Sequence, residues 1–175
     1  MTPLRFVDAV RADLAEWAPG GGFRRAAKIV LISSGFHAGL LYRVTHSVRP
    51  RFGLAGRALS GILVWFSYHW YGCIVSPTAR IAGGLVLVHP RGVHIGQEAI
   101  IGPRAWIYQN VTVGPSASKT GMPVIGADVH IYTGAVVVGP IRIGDGVSIG
   151  ANCVLWRDVP SGAEVRPAQP EVHLK

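Results

Sequence analysis

The feature that most constrains this chain is an aliphatic residue at every sixth position through its second half. Val75, Ile81, Leu87 and Val93 keep that step, the frame slips by two, and Ile95, Ile101, Ile107 and Val113 resume it. After an interruption the series continues at Ile125, Ile131, Val137, Ile143, Ile149 and Leu155. Glycine follows directly at Gly96, Gly102, Gly114, Gly126, Gly144 and Gly150. Neither the 3.6-residue helical period nor the two-residue strand period produces a step of six. A solenoid with three flat faces does. Each face turns one aliphatic side chain inward, and the glycine after it permits a tight corner. Residues 75–160 then hold about five coils stacked ~4.8 Å apart. The expectation is a mainly β chain, a parallel β-helix over residues 73–164.

Composition excludes the alternatives. Of 175 residues, 49% are hydrophobic and 15% charged, which is no disordered solvating chain and is enough for one cored domain with a short appended piece. Cys73 and Cys153 lie far apart in no redox or ligand spacing, against a disulfide scaffold and a zinc site. The 23 glycines and 12 prolines are too many for a helix bundle and show no collagen period.

The charge is lopsided. Residues 1–57 hold nine Lys/Arg against three acids, a net of +6, whereas the other 118 residues net +2. Such a balance points to an anionic membrane surface, nucleic acid or a phosphate-bearing ligand. Without basic–aromatic alternation or a helix-turn-helix pattern, nucleic acid is not expected. The opening Met1-Thr2-Pro3-Leu4-Arg5 has no leader-like pattern, so a cytoplasmic protein is expected, with membrane association open.

Residues 1–72 read as a helical region. Leu4, Val7, Val10, Leu14 and Trp17 share one face of a helix over 3–18. A second helix is expected from about Arg24 to His46, breaking at Pro50, and a third from about Leu54 to Tyr71. Ala58 to Ala79 is 22 residues without a charge. A helix packed on its own protein is the preferred account, with peripheral membrane contact and a span as the alternatives. Residues 165–175 form a tail.

The interruption at residues 115–124 is expected to protrude as a loop, because Lys119 falls where the count would put a core aliphatic. A β-helix core needs no histidine, so His89 stands out, two positions after an inward leucine and just before the frame slip. A neutral imidazole suits removal of a proton from a hydroxyl. One coil later the same phase is Gln109. His94 and His130, 36 residues apart, would share a face if the loop preserves phase, which keeps a metal site under consideration.

Several stretches carry a family resemblance: Gly35-Phe36-His37-Ala38 with Tyr42-Arg43-Val44-Thr45-His46, Ser76-Pro77-Thr78-Ala79-Arg80-Ile81, Gln109-Asn110-Val111-Thr112-Val113-Gly114, and Ile149 to Leu155. From Gly35 to Ala168 the chain resembles the serine acetyltransferases and related polysaccharide O-acetyltransferases of the hexapeptide-repeat class, which are left-handed β-helices. The resemblance implies a homotrimer with acetyl-CoA, as co-substrate, in clefts between subunits. It also implies His89 as general base for direct attack of an acceptor hydroxyl on the thioester. Gly114, Pro115, Ser116, Lys119, Thr133, Gly134, Gly150 and Ala151 match the coenzyme cleft; Val88, Gln109 and Met122 match the acceptor side. No metal is implied. The β-helical carbonic anhydrases hold a metal on three histidines, but their order of spacings is reversed here.

The departures concern the acceptor. Ile74 stands where serine acetyltransferases carry the aspartate that orients the histidine, and Val88 replaces the acid beside it. Gly121-Met122 replaces an Arg-His pair, and Pro115 and Tyr132 replace glycines. These changes favour a neutral or sugar-like hydroxyl, a small molecule or a glycan, with serine itself as an alternative and a non-catalytic scaffold as another.

Overall fold

The computed structural model describes residues 5–118 and 120–168, in which four helices lead into a three-faced parallel β-helix. The helices are α1 (Phe6–Trp17), α2 (Phe23–Ile32), α3 (Ser34–Arg51) and α4 (Gly53–Tyr71). The first face stacks β1 (Ile74–Val75), β4 (His94–Ile95), β7 (Thr112–Gly114), β10 (Val136–Val138) and β13 (Val154–Leu155). The second stacks β2 (Arg80–Ile81), β5 (Ile100–Ile101), β8 (Val124–Ile125) and β11 (Arg142–Ile143). The third stacks β3 (Val86–Leu87), β6 (Trp106–Ile107), β9 (His130–Ile131), β12 (Ser148–Ile149) and β14 (Glu164–Val165). Every pairing is parallel and puts aliphatic over aliphatic, as in Ile95 on Val113 and Ile107 on Ile131. The solenoid of about five coils expected from the six-residue step is the fold observed.

A second inward series completes the core. Two places before each aliphatic lies another buried residue, usually smaller: Cys73, Ala79, Leu85, Ala99, Ala105, Val111, Val129, Ala135, Ile141, Val147 and Cys153. Val93 belongs here, two before Ile95, rather than to the series of Leu87. The step of eight from Leu87 to Ile95 therefore holds a two-residue insertion at one corner. Both cysteines are free thiols within the core.

The helical region differs from expectation in one respect. The stretch read as one helix is two, because Ser33 adopts an extended conformation and its hydroxyl accepts the Phe36 N–H at 3.2 Å, capping α3. Pro50 does not break α3. It sits one residue before α3 ends, so its missing N–H and the crowding of its ring on the preceding turn fall at the terminus and not in the helix interior. The left-handed Gly72, φ 64°, closes α4 and turns the chain into β1. β14 carries the solenoid through Val165, one residue into the stretch read as tail.

Candidate active site

The corner between the third and first faces of the first coil is where the chain lifts away. The Val88 N–H still donates to Ile107 O at 2.9 Å, and the ladder resumes only at Arg91, whose carbonyl accepts the Asn110 N–H at 3.1 Å. His89 and Pro90 are the two extra residues. A turn closed by Val93 N–H to Pro90 O at 3.1 Å returns the chain, with Gly92 at φ 76° in its third place. No side chain fits at Gly92, because the Asn110 carboxamide oxygen lies where a Cβ would be. His89 is exposed while Pro90 beneath it is buried.

The helices brace this corner from behind. Gly35, near the start of α3, presses on the Leu87 carbonyl so closely that a Cβ there would overlap it. Arg91 lies across Gly72, its Cγ 3.1 Å from where a Cβ would stand. Among the described residues the imidazoles with intrachain hydrogen bonds are those of His37, His46 and His69, each to a backbone carbonyl; His89 is not among them. The side chain of Ile74, half-buried on β1, carries no hydrogen-bond acceptor.

The same edge continues up the solenoid. Gly134 N–H donates to Gln109 O at 3.0 Å and Asn152 N–H to Thr133 O at 2.9 Å, so Gln109 and the small Thr133-Gly134 and Gly150-Ala151 form one ridge with His89 at its foot. The backbone in register with Gln109 is that of Arg91, not His89, because the insertion displaces the histidine by two places. The side-chain oxygen of Gln109 is buried and has no hydrogen-bond partner among the described residues. Beside the ridge, the Tyr108 and Tyr132 rings lie 5.0 Å apart, tilted by 37°, and Trp106 stacks on His130 at 5.6 Å. The Trp106 indole donates to Glu16 on α1 at 2.9 Å, a contact that ties the helical region to the second coil and that no sequence period signals.

The remaining candidates sit on another edge, between the first and second faces. There the chain leaves the coil after Gly114 and returns at Val124, with Gly139 N–H on Gly114 O at 3.0 Å. Pro115, Ser116 and Met122 line a cleft of about 570 Å³ together with Gln97 and Glu98 of the coil below. The Met122 methyl packs toward Gly96. Lys119 lies outside the described residues. The first face of the solenoid separates this loop from the His89 ridge, so one chain carries the two candidate sets on two edges. His94 and His130 lie on different faces, on β4 and β9, since the loop shifts the phase. Among the described residues no three His, Cys, Asp or Glu side chains gather to hold a metal ion.

A family model of the bacterial transferase hexapeptide, six repeats, matches residues 122–155. The serine acetyltransferase of Helicobacter pylori strain 26695 is 37% identical over 143 residues, covering 80% of this chain and 81% of that protein. That of Synechococcus elongatus is 37% identical over 145 residues, 81% of this chain and 58% of its own length. Among solved structures, serine acetyltransferase isoform 3 from Entamoeba histolytica in complex with cysteine superposes with a TM-score of 0.84 at 27% identity, over 97% of this chain and 61% of that one. The Neisseria gonorrhoeae enzyme in complex with serine gives 0.79 at 33% identity, over 94% and 68%.

Coil architecture, helical lead-in and inserted corner together define a hexapeptide-repeat acyltransferase. The chain belongs to the serine acetyltransferase family. Membership makes it an acetyltransferase of the acetyl-CoA-dependent kind expected from its sequence, while it spans about three fifths of the Entamoeba structure it matches.

Proposed function

We propose that this protein transfers the acetyl group of acetyl-CoA to the hydroxyl of serine, with His89 as general base, in a trimer whose neighbouring chains each supply half of the site. His89 takes the hydroxyl proton as the oxygen attacks the thioester carbonyl. The C–O bond forms, the C–S bond breaks, and the imidazole returns the proton to the departing sulfur. The observation that carries this is an exposed imidazole on a braced two-residue insertion, in a chain 37% identical to a serine acetyltransferase over four fifths of both. The small side chains of Thr133, Gly134, Gly150 and Ala151 on one ridge support a pantetheine arm lying against backbone there. The trimer is supported by the separation of loop and histidine, which a neighbouring chain can bridge, and by the open outer side of the first face, where Val154 and Trp156 are 52% and 58% exposed.

For the acceptor, the unpartnered Gln109 oxygen supports an amino acid, since a buried acceptor gains most from a charged N–H donor. One second reading has its own support. Ile74, Val88 and Met122 place apolar groups where charges would read serine, which favours a neutral sugar hydroxyl. Thiol release from acetyl-CoA, measured against serine, sugars and nucleotide sugars, separates the two. Serine-dependent release that falls about 10²–10⁴-fold in His89→Ala at unchanged oligomeric state is the expected result. Release with sugars alone transfers the case to the second reading, and full activity in His89→Ala removes the base.

A further inference from the structure

Helix α4 is inside out for a helix facing water. Its buried residues are the small Gly56, Ser60 and Ser67, packed so tightly on α3 that a Cβ on Gly56 would stand 2.6 Å from Val48 O. The opposite stripe, at the helical step of about 100° per residue, carries Leu54, Ile62, Trp65 and Phe66. Leu54 is 82% exposed, Ile62 62% and Trp65 61%. Helix α2 buries no residue and leaves Phe23, Leu31 and Ile32 in the open. The apolar stripe along α4 marks a docking face.

Charge selects the partner. No Asp or Glu occurs between Glu16 and Glu98, while Arg24, Arg25, Lys28, Arg49, Arg51 and Arg57 fall on α2, α3 and α4. Among the described residues none of these six cations pairs with a carboxylate. Where α3 meets α4, a pocket of about 340 Å³ is lined by His46, Arg49, Pro50, Arg57, Pro77 and Thr78, with no acid in it. A second copy of this face would oppose cation to cation. Nucleic acid would leave the tryptophan–isoleucine stripe unburied. An anionic bilayer answers both features, with the rings and aliphatics in the headgroup–acyl boundary and the arginines at the phosphates. No described helix is long and apolar enough to cross a membrane, so α4 lies in the plane of the surface.

We propose that α4 docks this protein on an anionic lipid bilayer, its apolar stripe embedded and the His46–Arg49–Arg57 pocket on a lipid phosphate. The test is co-sedimentation of the full chain with vesicles of phosphatidylglycerol in phosphatidylcholine, and of phosphatidylcholine alone. The expected result is pelleting with the anionic vesicles and little with the neutral ones. Double substitution Arg51→Gln with Arg57→Gln should weaken binding roughly tenfold or more. Ile62→Ser with Trp65→Ser should abolish it, with circular dichroism and vesicle-free acetyl transfer unchanged. Millimolar inorganic phosphate should not compete. A protein that stays in the supernatant overturns the proposal. So does complete competition by inorganic phosphate, which would make the pocket a site for soluble anions. A change in sedimentation velocity on Ile62→Ser with Trp65→Ser also overturns it, by assigning the stripe to another protomer. None of these outcomes touches acetyl transfer in solution, so the two proposals fail separately.

Discussion

The guanidinium of Arg43 grips the carboxylate of Asp13 with two hydrogen bonds of 2.9 Å, Nε on one oxygen and Nη2 on the other, with both side chains about 95% buried. Arg43 also donates to the carbonyls of Ile81 and Ala82 at 2.6 Å, and Asp13 accepts the N–H groups of Gly84 and Leu85 at 2.9 and 2.8 Å. One ion pair thus joins α1, α3 and the corner between β2 and β3. Losing the carboxylate leaves a buried cation without a counter-charge and two buried N–H groups without an acceptor. Asp13→Ala should cost about 3–5 kcal/mol, read from urea denaturation. Arg43→Lys, which cannot reproduce the two-pronged geometry, should be only partly tolerated.

Two glycines of α3 should respond with opposite signs. A Cβ at Gly35 overlaps the Leu87 carbonyl, which is backbone and cannot step aside, so Gly35→Ala should destabilise by about 1–3 kcal/mol. Because Leu87 leads straight to His89, acetyl transfer should fall with it. A Cβ at Gly39 meets nothing within 4 Å, so Gly39→Ala should stabilise the helix by about 0.5–1 kcal/mol and leave the rate alone. Denaturation midpoints beside initial rates for the two variants check this.

Both thiols should be silent in the native protein. Burial pushes the Cys73 thiol from 9.0 up to about 12, and Cys153 moves in the same direction for the same reason. A thiol reagent at pH 8 should find neither until denaturant is added, and then two. The linkage has a definite sign. With a folded value above the unfolded one, Cys73 leaves stability intact below pH 9 and erodes it as pH rises toward 12. Urea midpoints measured upward from pH 8 should therefore decline, and less so in Cys73→Ala.

Gln109 separates folding from recognition. Its buried oxygen has no partner among the described residues, so Gln109→Leu removes an unsatisfied acceptor and should leave stability unchanged or slightly raised. If that oxygen holds the acceptor's N–H, the same variant should raise the KM for serine by about 10-fold and leave the KM for acetyl-CoA unmoved. Steady-state kinetics with each substrate varied in turn provides the check.

The solenoid was legible in the chain because each coil repeats one local problem. Every sixth residue, from Val75 to Leu155, must fill the same central column, and sequence records such a constraint directly. The alternate positions were not read, since Ala79, Ala105 and Cys153 are small and not consistently aliphatic, and their burial follows only from coil geometry. The slip at His89 was visible as a count of eight instead of six. Which neighbour it meets was not, because hydrogen bonds between coils decide that Arg91 and not His89 lies beside Gln109.

By itself the sequence determined the repeat, the interruption after Gly114, the helical lead-in and the histidine out of keeping with a β-helix core. Those are local or periodic properties, set by side-chain size and by the step between corners. Only the tertiary structure decided that Asp13 meets Arg43, that Gly35 abuts Leu87, that His94 and His130 part company, and that α4 turns its large apolar residues outward. Each joins residues far apart in the chain or depends on which side of a helix a neighbour covers. No period in the sequence encodes such a choice; packing in three dimensions makes it.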